Sequence, residues 1–429
     1  IQSLSPPSPA SSLYDFSWYG PSRPCRNGHT RAGVYHSDAH RFARLVGGEL
    51  NRSGVAAYDD QPGRSVMADT GDSRTLLPFA MINVAPLPFT RRWLNVTDGE
   101  LVALDCHVPS GPSEADLRSS DVYLVLHGLS GGSDEAYVKD FVGEAGAVSC
   151  VMVARGMMRT PVLSGKPFHG ARTDDVHISA KRLRKVMDET GMSGKLIGVG
   201  FSMGGIVLSN YVARSGKDCA LDAAVAVGAG IDMRFNRYFQ RSLWLWQPFL
   251  SRSLLDQFFY RFLPLYKKLL TPEEIEKTRK ATSVTEVDIN MVAPFNGFAS
   301  VDEYYTAMSP ASDFKSVEDP GMMGDVSIPF AILSALDDPI VCEKCLGDPS
   351  QISQVANGNI FYMLSKRGGH VGFPIDPIWK TKWSWMNGAI LGFINAVASA
   401  EAQMKNDDGT LTSQGTLEPG EGITKMSDE

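Results

Sequence analysis

Residues 195–215 read KLIGVGFSMGGIVLSNYVARS, and two patterns meet inside this stretch. Lys195 to Phe201 is a strand-like apolar run, and Met203 to Ser215 reads as a helix. The junction, Gly200-Phe201-Ser202-Met203-Gly204-Gly205, is a G-x-S-x-G sequence. A turn from a strand straight into a helix is tight enough to force the central serine into an unfavourable backbone conformation, so only small residues fit two positions to either side. The serine oxygen then stands at a helix N-terminus, where free N–H groups and the helix dipole favour negative charge. The bare motif arises often by chance. A strand before it and a helix after it make Ser202 the expected nucleophile.

Outward from this junction the alternation continues. Val122 to Leu126 is a wholly apolar run that ends in His127-Gly128, and Ala147 to Ala154 is another, ending in Arg155-Gly156. Such runs suit strands buried on both faces. Asp174 to Thr190 reads as an amphipathic helix and Ala223 to Val227 as a fourth strand. Alternating strands and helices predict an α/β fold: a mostly parallel central sheet with helices on both faces. Arg92 to Val96 and Leu101 to Val108 precede it as two strands around Thr97-Asp98-Gly99-Glu100.

The alternation breaks at about 231 and resumes after about 315. The intervening stretch is expected to be a helical cap insertion. Leu255, Phe258, Phe259 and Phe262 share one helical face, and Thr271-Pro272-Glu273-Glu274 is a helix start with a capping threonine. Pro329 to Leu336 and Asn359 to Leu364 read as strands and Trp379 to Ala400 as a closing helix. Residues 1–85, rich in Pro, Ser, Gly and Arg, are expected to form an irregular, partly disordered extension. The main domain is placed at 86–403, followed by a disordered acidic tail at 404–429.

A serine needs a base to become a nucleophile. His370, in Arg367-Gly368-Gly369-His370-Val371-Gly372-Phe373 after the last strand, is the expected one. His29, His36, His40, His107 and His177 read as ordinary surface or core histidines. The base needs an acid to fix its tautomer and stabilise the imidazolium. Asp337-Asp338-Pro339-Ile340-Val341 follows the strand at 329–336, so the order is Ser, Asp, His. Asp338 is the expected acid, with Asp337 as the alternative and turn capping as the other role for such a carboxylate. Oxyanion donors are expected from the backbone N–H groups of Leu129, in the loop that starts at His127-Gly128, and Met203. His169 and Asp174 form an H-x-x-x-x-D, a spacing found in some lipid acyltransferases. A satisfied loop histidine beside a helix cap is the plainer reading.

The chain totals bound the rest. With 429 residues, 43% hydrophobic and 21% charged, the composition is that of a soluble globular protein. A net charge of −7 argues against a nucleic-acid partner. The six cysteines lie mostly singly in apolar stretches, which suggests buried free thiols rather than a disulfide framework. Cys342 and Cys345 form a lone C-x-x-C, too few ligands for a zinc site. No run of 18 apolar residues suggests a membrane span. The chain begins at Ile1, which leaves room for a preceding targeting or anchor segment. A soluble or membrane-peripheral intracellular protein is expected. Two glycosylation sequons, at Asn51 and Asn95, are too common a pattern to imply secretion.

With these residues in place, the chain resembles the YheT-like, embryogenesis-associated branch of the α/β-hydrolases, which includes related mammalian lipid hydrolases. The resemblance rests on HGLSGGSDEAYV, ARG, HGARTDDV, GFSMGG, VAPFNGFASVDEYYTAMSP, ALDDP and GGHVGF, across roughly residues 88–400. Ile206 stands where the branch often has asparagine. The resemblance implies carboxylic ester hydrolysis, with acylglycerols, phospholipids or short-chain esters as substrates in different members. It implies no metal or organic cofactor. The insertion is dense in aromatic residues, so Trp244, Trp246, Phe258 and Phe259 are expected to bind substrate. Arg234, Arg237, Arg241, Arg252 and Arg261 interleave with them, which would suit peripheral contact with an anionic membrane. The function expected is a serine hydrolase of lipid esters working through an acyl-enzyme on Ser202. The alternatives are a lipid acyltransferase using the same nucleophile and a non-catalytic ligand-binding protein of this fold.

Overall fold

The computed structural model describes residues 30–54, 58–60, 65 and 68–414. Its strands are β1 (Gly33–Tyr35), β2 (Thr90–Asn95), β3 (Leu101–His107), β4 (Val122–Leu126), β5 (Ser149–Val153), β6 (Leu196–Phe201), β7 (Ala223–Val227), β8 (Phe330–Ala335) and β9 (Ile360–Ser365). They form one sheet in the order β1-β9-β8-β7-β6-β4-β5-β3-β2. The six strands from β5 to β9 in that order are parallel; β1, β2 and β3 pair antiparallel to their neighbours. This is the α/β-hydrolase fold.

The central strands are fully buried because both faces of the sheet are covered. Leu124 and Leu126 of β4 face one core, and Tyr123 and Val125 face the other. The main helices are α1 (Arg41–Ser53), α2 (Gly71–Met81), α3 (Ala136–Ala145), α4 (Thr173–Thr190), α5 (Met203–Ser215) and α6 (Ser384–Gln414). Helices α4, α5 and the cap share the first core, through residues such as Val176, Leu208 and Phe258. Helices α1, α3 and α6 share the second, through Val46, Phe141 and Phe393.

The cap follows β7 as expected and is helical. Helices Gln247–Leu254, Leu263–Leu269, Pro272–Arg279 and Val301–Ala307 are accompanied by wide π-type turns: Ser242–Trp246 leads into the first, Leu255–Tyr260 follows it, and Asp288–Val292 lies before the last. The capping box at Thr271 forms: its Oγ1 accepts the Glu274 N–H at 3.3 Å, and Glu274 accepts the Thr271 N–H at 2.8 Å.

Three expectations are corrected. The first 85 residues are not irregular where they are described. β1 adds to the edge of β9, with Val34 opposite Met363. Ala43, Val46 and Leu50 of α1 are buried, and α2 starts with a capping box between Thr70 and Ser73. The buried residues of α1, Ala43, Val46, Gly47 and Leu50, recur at helical spacing, whereas β1 and α2 owe their places to tertiary packing. Residues 1–29 lie outside the described residues. The tail is the second correction. Helix α6 continues to Gln414, aided by an Arg41–Asp407 ion pair to α1 and by good helix formers around residue 400. Residues 415–429 lie outside the described part.

The third concerns the cysteines. Cys106 on β3 and Cys150 on β5 stand opposite each other in the ladder, Cα atoms 4.0 Å apart, and form a disulfide. Cysteines 44 residues apart become neighbours only through strand pairing, which spacing alone does not reveal. Cys342 and Cys345 are buried, their sulfurs 3.5 Å apart. Cys25 lies outside the described residues. Among the described residues no helix is long and apolar enough to cross a membrane.

Candidate active site

The junction between β6 and α5 is as tight as its glycines suggest. A Cβ at Gly200 would lie 2.5 Å from the carbonyl oxygen of Gly204, and one at Gly204 would lie 2.3 Å from that of Leu126. Neither position admits a side chain. Ser202 itself sits at φ 53°, ψ −118°. A non-glycine residue at such angles stores on the order of 1–3 kcal/mol of strain, which the surrounding sheet and helix must hold. Its N–H is tied to the Val227 carbonyl at 2.8 Å, and its hydroxyl is left partly exposed.

His370 and Asp338 complete a continuous hydrogen-bonded chain. The Ser202 hydroxyl donates to His370 Nε2 at 2.7 Å, and His370 Nδ1–H donates to Asp338 Oδ2 at 2.7 Å. The other oxygen of Asp338 accepts the N–H groups of Ile340 and Val341 at 2.8 and 2.9 Å. Both carboxylate oxygens therefore have partners suited to the ionised form. Asp337 points elsewhere. It accepts the Gly369 N–H at 2.9 Å and an Arg74 N–H at 3.0 Å, so it braces the histidine loop instead of the ring.

The loop after β4 lies against the nucleophile: a Cβ at Gly128 would be 3.4 Å from that of Ser202. His127 is locked in one tautomer. Its Nδ1–H donates to the Gly128 carbonyl at 2.7 Å, while Nε2 accepts the Ala154 N–H at 3.2 Å. Burial pushes its imidazole below the usual range, so it stays neutral. Tyr137 accepts the Gly128 N–H at 2.9 Å. The N–H groups of Leu129 and Met203 carry no hydrogen bond to another described residue. Both residues line the cleft that holds Ser202, where an oxyanion could use those donors.

This cleft measures about 260 Å³ and is bounded by α2, the cap and the histidine loop, with Leu76, Phe79, Trp246 and Leu250 among its apolar walls. Beyond Leu129 and Met203 a smaller chamber of about 20 Å³ is walled by Phe258, His169 and Tyr304. Asp288 borders both spaces. The expected substrate residues therefore separate. Trp246 lines the cleft and Phe258 the chamber. Trp244 is 73% exposed on the outer surface, and Phe259 is fully buried and stacked on Tyr266 in the cap's own core. Neither of these two lines the cleft or the chamber, because the faces of the cap helices point in different directions.

His169 and Asp174 do not form a pair. His169 is buried, accepts the Ala171 N–H at 3.2 Å and meets Phe298 and Tyr304 edge-on. Burial, aided by Arg172 and Arg155, pushes it well below its usual value. Asp174 is exposed on α4. The neighbouring Asp175 has the buried role, accepting two hydrogen bonds from Arg155 at 2.8 and 2.6 Å. The five cap arginines are also committed within the chain. Arg234 pairs with Asp232, Arg237 with Asp302, Arg241 with Asp72 and Arg252 with Asp256, and Arg261 reaches the Gly156 carbonyl.

Sequence reading missed Thr75, Leu76, Phe79 and Asp288 as cleft residues. The first three lie in a segment without clear periodicity. Asp288 stands between Glu286 and Asn290 in the insertion, and nothing local to it in the sequence marks it as a cleft residue.

No family model matches the chain. It is similar to the monoacylglycerol lipase of Saccharomyces cerevisiae, 29% identical over 275 residues, which cover 61% of this chain and 57% of that protein. This chain thus spans less than two thirds of that relative's length. The phospholipase ABHD3 of Mus musculus is 24% identical over 339 residues, 78% of each chain. YheT of Escherichia coli is 28% identical over 299 residues, 66% of this chain and 79% of its own.

Proposed function

We propose, from the premise that this chain is an α/β-hydrolase of the YheT-like branch, that it hydrolyses carboxylic esters of lipids through an acyl-enzyme on Ser202. The observation that carries this reading is the unbroken chain Ser202–His370–Asp338 with both links at 2.7 Å. Ser202 attacks the ester carbonyl as its proton passes to His370 Nε2. Asp338 holds the ring and stabilises the imidazolium. The N–H groups of Leu129 and Met203 receive the oxyanion, where one lost donor typically costs about 10²–10³ in turnover. The imidazolium gives its proton to the departing alkoxide. A water molecule then attacks the acyl carbonyl with His370 as base and frees the acid.

The apolar cleft and the names of the relatives support a lipid ester, an acylglycerol or phospholipid, as the substrate class. We also propose peripheral contact with a lipid surface through the rim of the cleft. Leu76 and Phe79 of α2 line the cleft and are exposed, and Trp244, Leu245 and Phe249 of the cap, close in sequence to the cleft-lining Trp246 and Leu250, are exposed too. Because the cap arginines already have partners, this contact rests on apolar area more than on anionic charge.

The test is labelling with a fluorophosphonate, wild type against Ser202→Ala, with p-nitrophenyl esters of graded chain length in parallel. Labelling that disappears in the variant supports the mechanism. A folded wild type that takes no label sinks it.

A further inference from the structure

Helix α2 touches both the catalytic loop and the cap, and it does so from one side. Asp72 and Thr75 are three positions apart, so they are neighbours on the helix surface. Thr75 is buried; its hydroxyl donates to the Gly71 carbonyl at 2.7 Å and accepts the backbone N–H of His370 at 2.8 Å. Arg74, also buried, donates to Asp337 at 3.0 Å and to the Asp69 carbonyl at 2.9 Å, and Asp337 in turn holds Gly369. The two backbones are nearly in contact. A Cβ at Gly71 would lie 1.9 Å from the Asp337 carbonyl oxygen, and one at Gly372 would lie 2.1 Å from that of Arg74. Pro78 contributes to this, since it has no N–H to bond that Arg74 carbonyl inside the helix.

The histidine loop needs such restraint. Val371 and Phe373 hold φ of 53° and 48°, angles that a side chain adopts only when its surroundings impose them. On the cap side, Asp72 accepts the Trp246 indole N–H at 2.8 Å and pairs with Arg241. Trp246 also lines the cleft.

We propose that α2 is a strut between the cap and the catalytic centre, in which Thr75 is a positioning residue for His370 and Asp72 ties the same helix to the cap. The inference rests on His370 being the base of the hydrolase proposed above. When the cap shifts, the Trp246–Asp72 and Arg241–Asp72 contacts carry that shift into the first turn of α2. The His370 loop is seated on that turn, so the ring's distance to Ser202 becomes a function of cap position.

The test uses the full chain and p-nitrophenyl acetate, an ester too short to need the cap for binding. Thr75→Val is expected to lower kcat about ten- to a hundred-fold, as displacement of a catalytic group by part of an ångström does, with KM little changed. Thr75→Ser, which keeps the acceptor, is expected to restore kcat. Asp72→Asn and Arg241→Gln are each expected to lower kcat for the same ester, and the double variant to be no worse than the poorer single one. Unchanged kcat in a folded Thr75→Val protein would overturn the proposal. So would normal kcat in both Asp72→Asn and Arg241→Gln, and this pair decides the matter if Thr75→Val does not fold. Wild type that no fluorophosphonate labels would instead overturn the reading of Ser202, and the strut with it.

Discussion

Asp337 and Asp338 are adjacent carboxylates just past the end of β8, and one histidine loop meets both. Their hydrogen bonds separate them: Asp338 reaches the ring, and Asp337 reaches Gly369 and Arg74. Asp338→Asn is therefore expected to lower kcat by about 10⁴ through loss of the productive tautomer. Asp337→Asn should mainly lower stability, by about 1–3 kcal/mol, because Arg74 and Gly369 lose a charged acceptor. Steady-state kinetics and thermal melts on the two variants separate these outcomes.

Asp288 offers a pH test at the same scale. Burial holds its carboxyl at about 7, against the smaller opposing effects of the Tyr305 hydroxyl bond and the Arg237 charge. In the unfolded chain it would ionise near 4. Between about pH 4 and pH 7 the folded protein keeps a proton that the unfolded chain has released, so stability falls as pH rises through that window and levels off above it. Asp288→Asn should remove this slope. Its melting temperature relative to wild type should be higher at pH 7.5 than at pH 5, and an equal difference at both would refute the assignment.

At the level of elements, the buried parallel strands announced themselves as apolar runs, and α4 as an amphipathic period and α5 as a helix, while α3 went unread. Helix α2 did not announce itself, because it is short, contains Pro78, and owes its place to contacts with loops 263 and 295 residues away in sequence. Nor could the cap be read in detail. Its aromatic residues divide between a private core, the cleft wall and the outer rim, and composition alone cannot say which residue goes where. Two of the stretches that carry the resemblance, Ala154-Arg155-Gly156 and Thr173-Asp174-Asp175, meet in the buried Arg155–Asp175 pair, a structural role. Two element-scale predictions follow from the packing. Gly71→Ala should push the first turn of α2 off the Asp337 carbonyl and lower the melting temperature, with a cost of about 1–3 kcal/mol by denaturant titration. Trp244→Ser with Phe249→Ser, both more than 70% exposed, should weaken co-sedimentation with zwitterionic vesicles roughly ten-fold while leaving turnover of a soluble short ester intact. Unchanged vesicle binding would remove the cap from the proposed lipid contact.

For the molecule as a whole, the fold class was readable from alternation, and the boundary at residue 86 was not. The alternation of strands and helices stops there, but the packed structure does not: β1, α1 and α2 are joined to the last strand, the last helix and the histidine loop. A chain shortened to begin at residue 86 should therefore fail to react with a fluorophosphonate even though Ser202, Asp338 and His370 remain. The three-residue β1 has a further consequence. Among the described residues it is the only partner of β9 on that side of the sheet, and it is short and partly exposed. Without it, β9 would present a six-residue, mostly apolar edge with unsatisfied backbone groups, a template for another chain. The shortened protein would then be expected to leave solution as aggregate, and trimming this chain to its apparent domain would create the very stickiness that such trimming is usually meant to avoid.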